Sequence, residues 1–205
     1  MIKIWGRTTS SNVMKVLWCC DELNEPYERV DWGGPFGGND DPAYRAKNPN
    51  GRVPTVEDGG NVIWESNTIM RYLCATRGAE MLYPKDPAKR THVERWMDWQ
   101  LAHPSNSMTA LFFGYVREPA KANPASLEAA RKEAIENWRV VENGLAAGPF
   151  IAGENFTIAD IPLGILARRW FEFPIERPDL PRLKAWYGRI STRPGFIKHI
   201  AVPMI

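Results

Sequence analysis

The segment Thr8-Thr9-Ser10-Ser11-Asn12 puts four hydroxyls and one amide directly ahead of a run with helical spacing. Side-chain donors at the positive end of a helix, following a strand, make a place suited to an anion. Taken in isolation, the same residues are better read as a plain helix cap by Ser11 or Asn12. Farther on, Glu65-Ser66 stands where a strand passes into a helix. Ser66 and the first amides of that helix can hold a carboxylate while Glu65 holds an ammonium, together a recognition pair for an amino-acid headgroup. Alternatively Ser66 caps and Glu65 is solvated, and chemistry alone favours that plainer use. Val53-Pro54 precedes a hairpin pattern, where Val53 can offer its own N–H and C=O to an extended peptide. The bond between them is trans by the usual preference of X–Pro bonds. Thr157 and Asp160 form a capping box, with Phe156 and Ile161 as its staple, so Asp160 reads as structural and its removal as worth about 1 kcal/mol. Pro162 removes one early helical hydrogen bond from the helix so begun.

The surrounding pattern supplies elements to position these groups. Ile2, Ile4 and Trp5 read as a strand; Val13, Val16, Leu17, Cys20 and Leu23 mark one face of a helix ending before Pro26. Tyr27 to Trp32 alternates as a second strand, parallel to the first through the helical crossover. Residues 33–51 are rich in Gly, Pro, Asn and Asp and read as a long loop with one short helix at 42–47. Strands at 53–57 and 62–64 flank a turn, and a helix runs from Ser66 to about Gly78. After Tyr83-Pro84-Lys85-Asp86-Pro87 the pattern is helical throughout. One face carries Val93, Trp96, Met97, Gln100 and Leu101, and a longer one runs from Leu127 to Leu145. Further helices start near Ile158 and after Leu180-Pro181. The expected division is 1–80 for an α/β unit, 81–87 for a linker and 88–205 for an all-helical unit.

Composition narrows the chemistry further. The 26 basic and 24 acidic residues give a formal net charge of +2 and form no basic run, which argues against nucleic acid. No leader-like start and no apolar stretch of about 20 residues is present, which points to a cytoplasmic protein with no membrane partner. Cys19, Cys20 and Cys74 make no CxxC pair and read as buried thiols; His92, His103 and His199 lack metal-ligand spacing, so no metal is expected.

Four separated segments, IKIWGRTTSSNVMKV, NPNGRVPTVED, WESNTIMRYL and FTIADIPLG, resemble the cytosolic glutathione transferase superfamily along essentially the whole chain. The serine-containing first loop is most similar to theta-like and related bacterial members. That resemblance implies a thioredoxin-like βαβαββα unit before an all-helical one, and glutathione as co-substrate. It also implies a cis bond at Pro54, with Val53 pairing to the cysteinyl backbone and Glu65 and Ser66 binding the γ-glutamyl end. Arg52 is then a partner for the glycine carboxylate, with Lys47 a weaker alternative. Asp98 reaches the γ-glutamyl ammonium across the interface of a homodimer. Ser11 is placed first as the group that activates the thiol, Asn12 second, and Thr9 and Ser10 after them.

The implied activity is detoxifying conjugation of glutathione to a small hydrophobic electrophile, lodged near Phe112, Phe113, Tyr115, Trp170 and Phe171. Two alternatives stand beside it. One is a carrier of glutathione or hydrophobic ligands without turnover; the other is a glutathione-dependent peroxidase or disulfide reductase on the same fold. Disulfide chemistry wants a cysteine in the first loop, where this chain has Thr9, Ser10 and Ser11, and Cys19 comes two turns too late.

Overall fold

A computed structural model describes residues 1–204; the last residue of the expected helical unit, at 205, lies outside the described residues. Strand β1 (Ile2–Trp5) leads through helix α1 (Ser11–Leu23) to β2 (Tyr27–Val30), which pairs parallel with it. A short helix α2 (Pro42–Lys47), capped by Asp41, interrupts the following loop. The antiparallel pair β3 (Thr55–Asp58) and β4 (Asn61–Trp64) then completes a sheet of order β2-β1-β3-β4. Helix α3 (Ser66–Thr76) packs beside α1. This is the expected thioredoxin-like arrangement. Strand β3 opens at Thr55 rather than at Val53, because Pro54 has no N–H to give a ladder.

Six helices follow: α4 (Pro87–Ala102), α5 (Pro104–Phe112), α6 (Pro124–Gly144), α7 (Asp160–Glu172), α8 (Pro181–Ile190) and α9 (Pro194–His199). Helix α5 widens at its end into a π-helical turn, Phe113–Arg117. The α4, α6, α7 and α8 segments match the sequence pattern; α5 and α9 do not appear in it.

Helix α1 shows how the halves join. The pattern gave it one apolar face, yet every residue from Val13 to Cys20 is buried. Val13, Val16, Leu17 and Cys20 pack with Ile2, Ile4 and Val56 over the sheet, while Met14 and Trp18 enter the core of the helical half. A helix buried all round is a shared wall between two cores. Trp18 is wholly buried, edge-on to Phe196 of α9 with ring centroids 5.4 Å apart.

Asp160 is structural, as expected, but it does more than a cap. Its Oδ2 accepts from Thr157 N at 2.8 Å and from Thr157 Oγ1 at 3.2 Å. Its Oδ1 accepts from Ile151 N at 3.0 Å and from Trp186 Nε1 at 2.8 Å. Burial pushes this carboxyl above its usual range, while the donors pull it back. The returning half of the expected box differs, since Thr157 Oγ1 accepts from Ala159 N at 3.3 Å. Pro162 is the third residue of α7, where an N–H would have no helical partner, so it removes no bond.

Candidate active site

Helix α1 begins at Ser11, with Ser10 in the N-cap position making no side-chain cap bond. Ser11 is thus the first helical residue and not the one before the helix. Neither Ser11 nor Asn12 caps, and among the described residues the Ser11 hydroxyl has no hydrogen-bond partner. Asn12 instead accepts from Ser66 Oγ at 3.3 Å, tying the start of α1 to the start of α3. Ser66 is buried at 4 % exposure and does not cap α3; Glu65 occupies that N-cap position with φ of 70°. A non-glycine residue in the left-handed region is costly and concentrates at functional sites.

The Val53–Pro54 bond is cis, which the resemblance implied and the general preference of X–Pro bonds did not. Val53 lies outside the β3 ladder, and among the described residues its N–H and C=O make no hydrogen bond. That is an open edge for an extended peptide. Beside it, Tyr44 Oη and Asn48 Nδ2 both donate to Arg52 O at 2.8 Å, fixing this turn and leaving the Arg52 guanidinium exposed.

Ser11, Asn12, Arg52 and Val53 meet, with Thr9 and Ser10, at a cavity of about 380 Å³ that Pro54, Glu65 and Ser66 do not line. Its far wall comes from α5, the π-helical turn and α7, through Thr109, Phe112, Phe113, Arg117 and Arg169. A second cavity of about 240 Å³ shares Ser11, Asn12 and Arg169 and reaches in to Lys15 and Gln100. Lys15 is buried and donates to Gln100 Oε1 at 3.1 Å and to Asn67 Oδ1 at 3.4 Å. Burial lowers its pKa to about 7, with Glu65 opposing the shift and Arg169 adding to it.

Several expected members lie elsewhere. Lys47 is committed to Glu57 at 2.6 Å and lies over the Trp5 ring. Asp98, exposed on α4, pairs with Arg71 of α3. Of the five aromatics expected around an electrophile, only Phe112 and Phe113 line the cavity. Tyr115 packs on Phe173, Phe171 on Tyr187, and Trp170 is core at 1 % exposure. The three cysteines are buried; Cys19 is raised by its hydrogen bond to Cys74 and by burial, and burial pushes Cys20 up to about 12. Neither Cys19 nor Cys20 is a thiolate nucleophile near neutral pH. Arg7, Asn39, Thr109, Arg117 and Arg169 were not anticipated.

The sequence pattern of the glutathione S-transferase N-terminal domain matches residues 5–81, and that of its C-terminal domain matches residues 105–194. The chain belongs to the glutathione S-transferase family. Glutathione S-transferase GstB of Escherichia coli K12 is 35% identical over 207 residues, covering 100% of both chains. Glutathione S-transferase 3 of Zea mays is 29% identical, over 98% of this chain and 93% of its own length. Among solved structures, a theta class glutathione S-transferase from Xanthomonas axonopodis pv. citri with glutathione bound superposes with a TM-score of 0.94. Its identity is 46%, over 100% of this chain and 99% of that one. The chain is accordingly a glutathione transferase.

Proposed function

We propose that glutathione lies along Val53, with its cysteinyl backbone on the Val53 N–H and C=O. Its γ-glutamyl end meets Ser66 and Glu65, and its glycine carboxylate meets Arg52. The observation that carries this reading is the convergence on one cavity of Val53, whose backbone groups are open, and Ser11, whose hydroxyl is unspent.

The sulfur then falls beside Ser11 at the N-terminus of α1. A free glutathione thiol ionises near ~8.5, and lowering that by about two units takes roughly 2.7 kcal/mol. One hydrogen bond to the anion plus the helix dipole supplies an amount of that order. The thiol proton leaves to solvent, the sulfur lone pair forms a C–S bond, and the leaving group departs with its electron pair. This scheme requires no general base. A small electrophile with an apolar body rests on Phe112 and Phe113, and its conjugation serves detoxification in the cytoplasm. The working form is a homodimer of two-domain chains, 1–80 and 88–205 joined through 81–87, in which Asp98 reaches the partner's glutathione ammonium.

Thiolate absorbance of the enzyme–glutathione complex, titrated against pH, tests the assignment. Ser11→Ala should return the pKa of bound glutathione toward ~8.5 and lower kcat at neutral pH, with a smaller change in binding. If Asn12→Ala shifts the titration and Ser11→Ala does not, the activating role passes to Asn12. Thr9→Ala and Ser10→Ala serve as the comparison for loop substitutions of the same size.

A further inference from the structure

Among the described residues the cavity of about 380 Å³ is lined by four arginines, Arg7, Arg52, Arg117 and Arg169, and by no aspartate or glutamate. Several arginines elsewhere in the chain are closely neutralised by carboxylates, and Arg90, Arg177 and Arg189 bond to backbone carbonyls. Arg77 bridges Glu25 at 3.0 Å and Asp58 at 2.7 Å, Arg168 meets Glu172 at 2.8 Å, and Arg193 is paired with Glu22. Arg7 and Arg169 differ. Among the described residues neither forms an ion pair or a side-chain hydrogen bond.

Both are nevertheless held in place. The Arg7 side chain lies against the backbone of Gly33 and Gly34, and a Cβ on Gly34 would stand 2.9 Å from Arg7 Nε. The Arg169 guanidinium sits 3.9 Å from the centroid of the Phe112 ring. Burial lowers the proton affinity of both, and Arg117 adds a like charge to each. Fixed, desolvated guanidinium groups with no carboxylate of their own form a seat for an oxyanion.

Glutathione does not use up this charge. In the reading above its glycine carboxylate is met by Arg52, and its γ-glutamyl carboxylate by Ser66 and the amides opening α3. Arg169 stands on the wall built by α5 and α7, where Phe112 and Phe113 take the second substrate.

We propose that the electrophile conjugated here is an organic acid, whose carboxylate is seated by Arg7 and Arg169 while its apolar body rests on Phe112 and Phe113. This rests on the glutathione-transfer reading and narrows it to a substrate class. The wall arginines hold one anion beside another, the thiolate, and offset the repulsion that would otherwise keep them apart.

The test compares a chloronitrobenzoate, its chlorine para to the carboxylate, with the matching chloronitrobenzamide, using the full chain and glutathione. Each kcat/KM is divided by the uncatalysed rate constant with glutathione, which removes the intrinsic difference in reactivity. The benzoate should be favoured by about tenfold or more, and added salt should erode that preference. Arg7→Gln and Arg169→Gln should each reduce the ratio several-fold through the KM of the benzoate, and Arg169→Lys should retain part of it. Equal acceleration of the two probes, or a ratio unchanged in both glutamine variants, overturns the inference. Titration of the protein with each probe, followed by tryptophan fluorescence, keeps two failures apart. Selective benzoate binding without turnover overturns the transfer reading and keeps the anion seat; equal binding of both probes removes the seat.

Discussion

Ser66 at the start of α3 donates from Oγ to Oδ1 of Asn12 at the start of α1, across 3.3 Å. This bond joins the proposed headgroup site to the proposed thiol site, so a change at one is felt at the other. Glu65→Ala should raise KM for glutathione and leave kcat nearly unchanged, since it acts on a part of the substrate remote from sulfur. Ser66→Ala should raise KM and also lower kcat modestly, because it frees Asn12. Calorimetry showing native glutathione affinity in both variants would refute the headgroup assignment.

Asp160→Ala should destabilise the fold by several kcal/mol, well beyond an ordinary cap. Four buried donors, Ile151 N, Thr157 N, Thr157 Oγ1 and Trp186 Nε1, lose their acceptor together, at about 1–3 kcal/mol for each group left unsatisfied. Thermal unfolding measures this directly. A native melting temperature combined with lost turnover would make Asp160 a catalytic acid instead.

Lys15 gives stability a pH dependence with a definite sign. Its pKa is about 7 in the fold and about 10.4 in an unfolded chain. Between those values the unfolded chain holds a proton that folded Lys15 lacks, so its contribution rises with pH across that window and is least below about 7. Relative to the parent, Lys15→Met should flatten the rise in melting temperature between about pH 7 and about pH 10. A variant that tracks the parent over that range would show that Lys15 stays protonated in the fold.

Assembly is tested by light scattering, which should report about twice 23.3 kDa. A monomer at micromolar concentration would remove the proposed role of Asp98, leaving its pairing with Arg71 as its whole function.

The elements that place the site were legible because they carry local signals. Prolines, glycines and apolar spacing mark β1, α1, the Val53–Pro54 turn and the opening of α3. Helix α5 was not legible: Pro104, Ser105 and Asn106 interrupt it early, and Leu111, Phe112 and Phe113 cluster where spacing would be needed. Helix α9 is only six residues and begins Pro194-Gly195. Asp160 showed its near partner, Thr157, but its bond to Trp186 spans 26 residues and leaves no local trace. Arg7 and Arg169 read as ordinary surface charge in sequence. The packing of α7 against α1 brings them to one cavity.

Trp18 carries a lesson about inheritance. A Cβ on Gly195 would stand 2.3 Å from Trp18 Cδ1, and one on Gly164 would stand 3.2 Å from its ring. The indole thus requires an absent side chain at Gly195 on α9, far along the chain from itself, and Gly164 on α7 is crowded chiefly by Ile190 at 2.7 Å. The sheet half and the helical half are therefore poor candidates for exchange between relatives as interchangeable cassettes. A chimaera that keeps Trp18 must also keep Gly195, and a lineage that gains a side chain there must first shrink the indole. Because α1 also bears Ser11, drift in the distant helices would surface as a displacement of the hydroxyl proposed to steady the thiolate long before it surfaced as a lost fold.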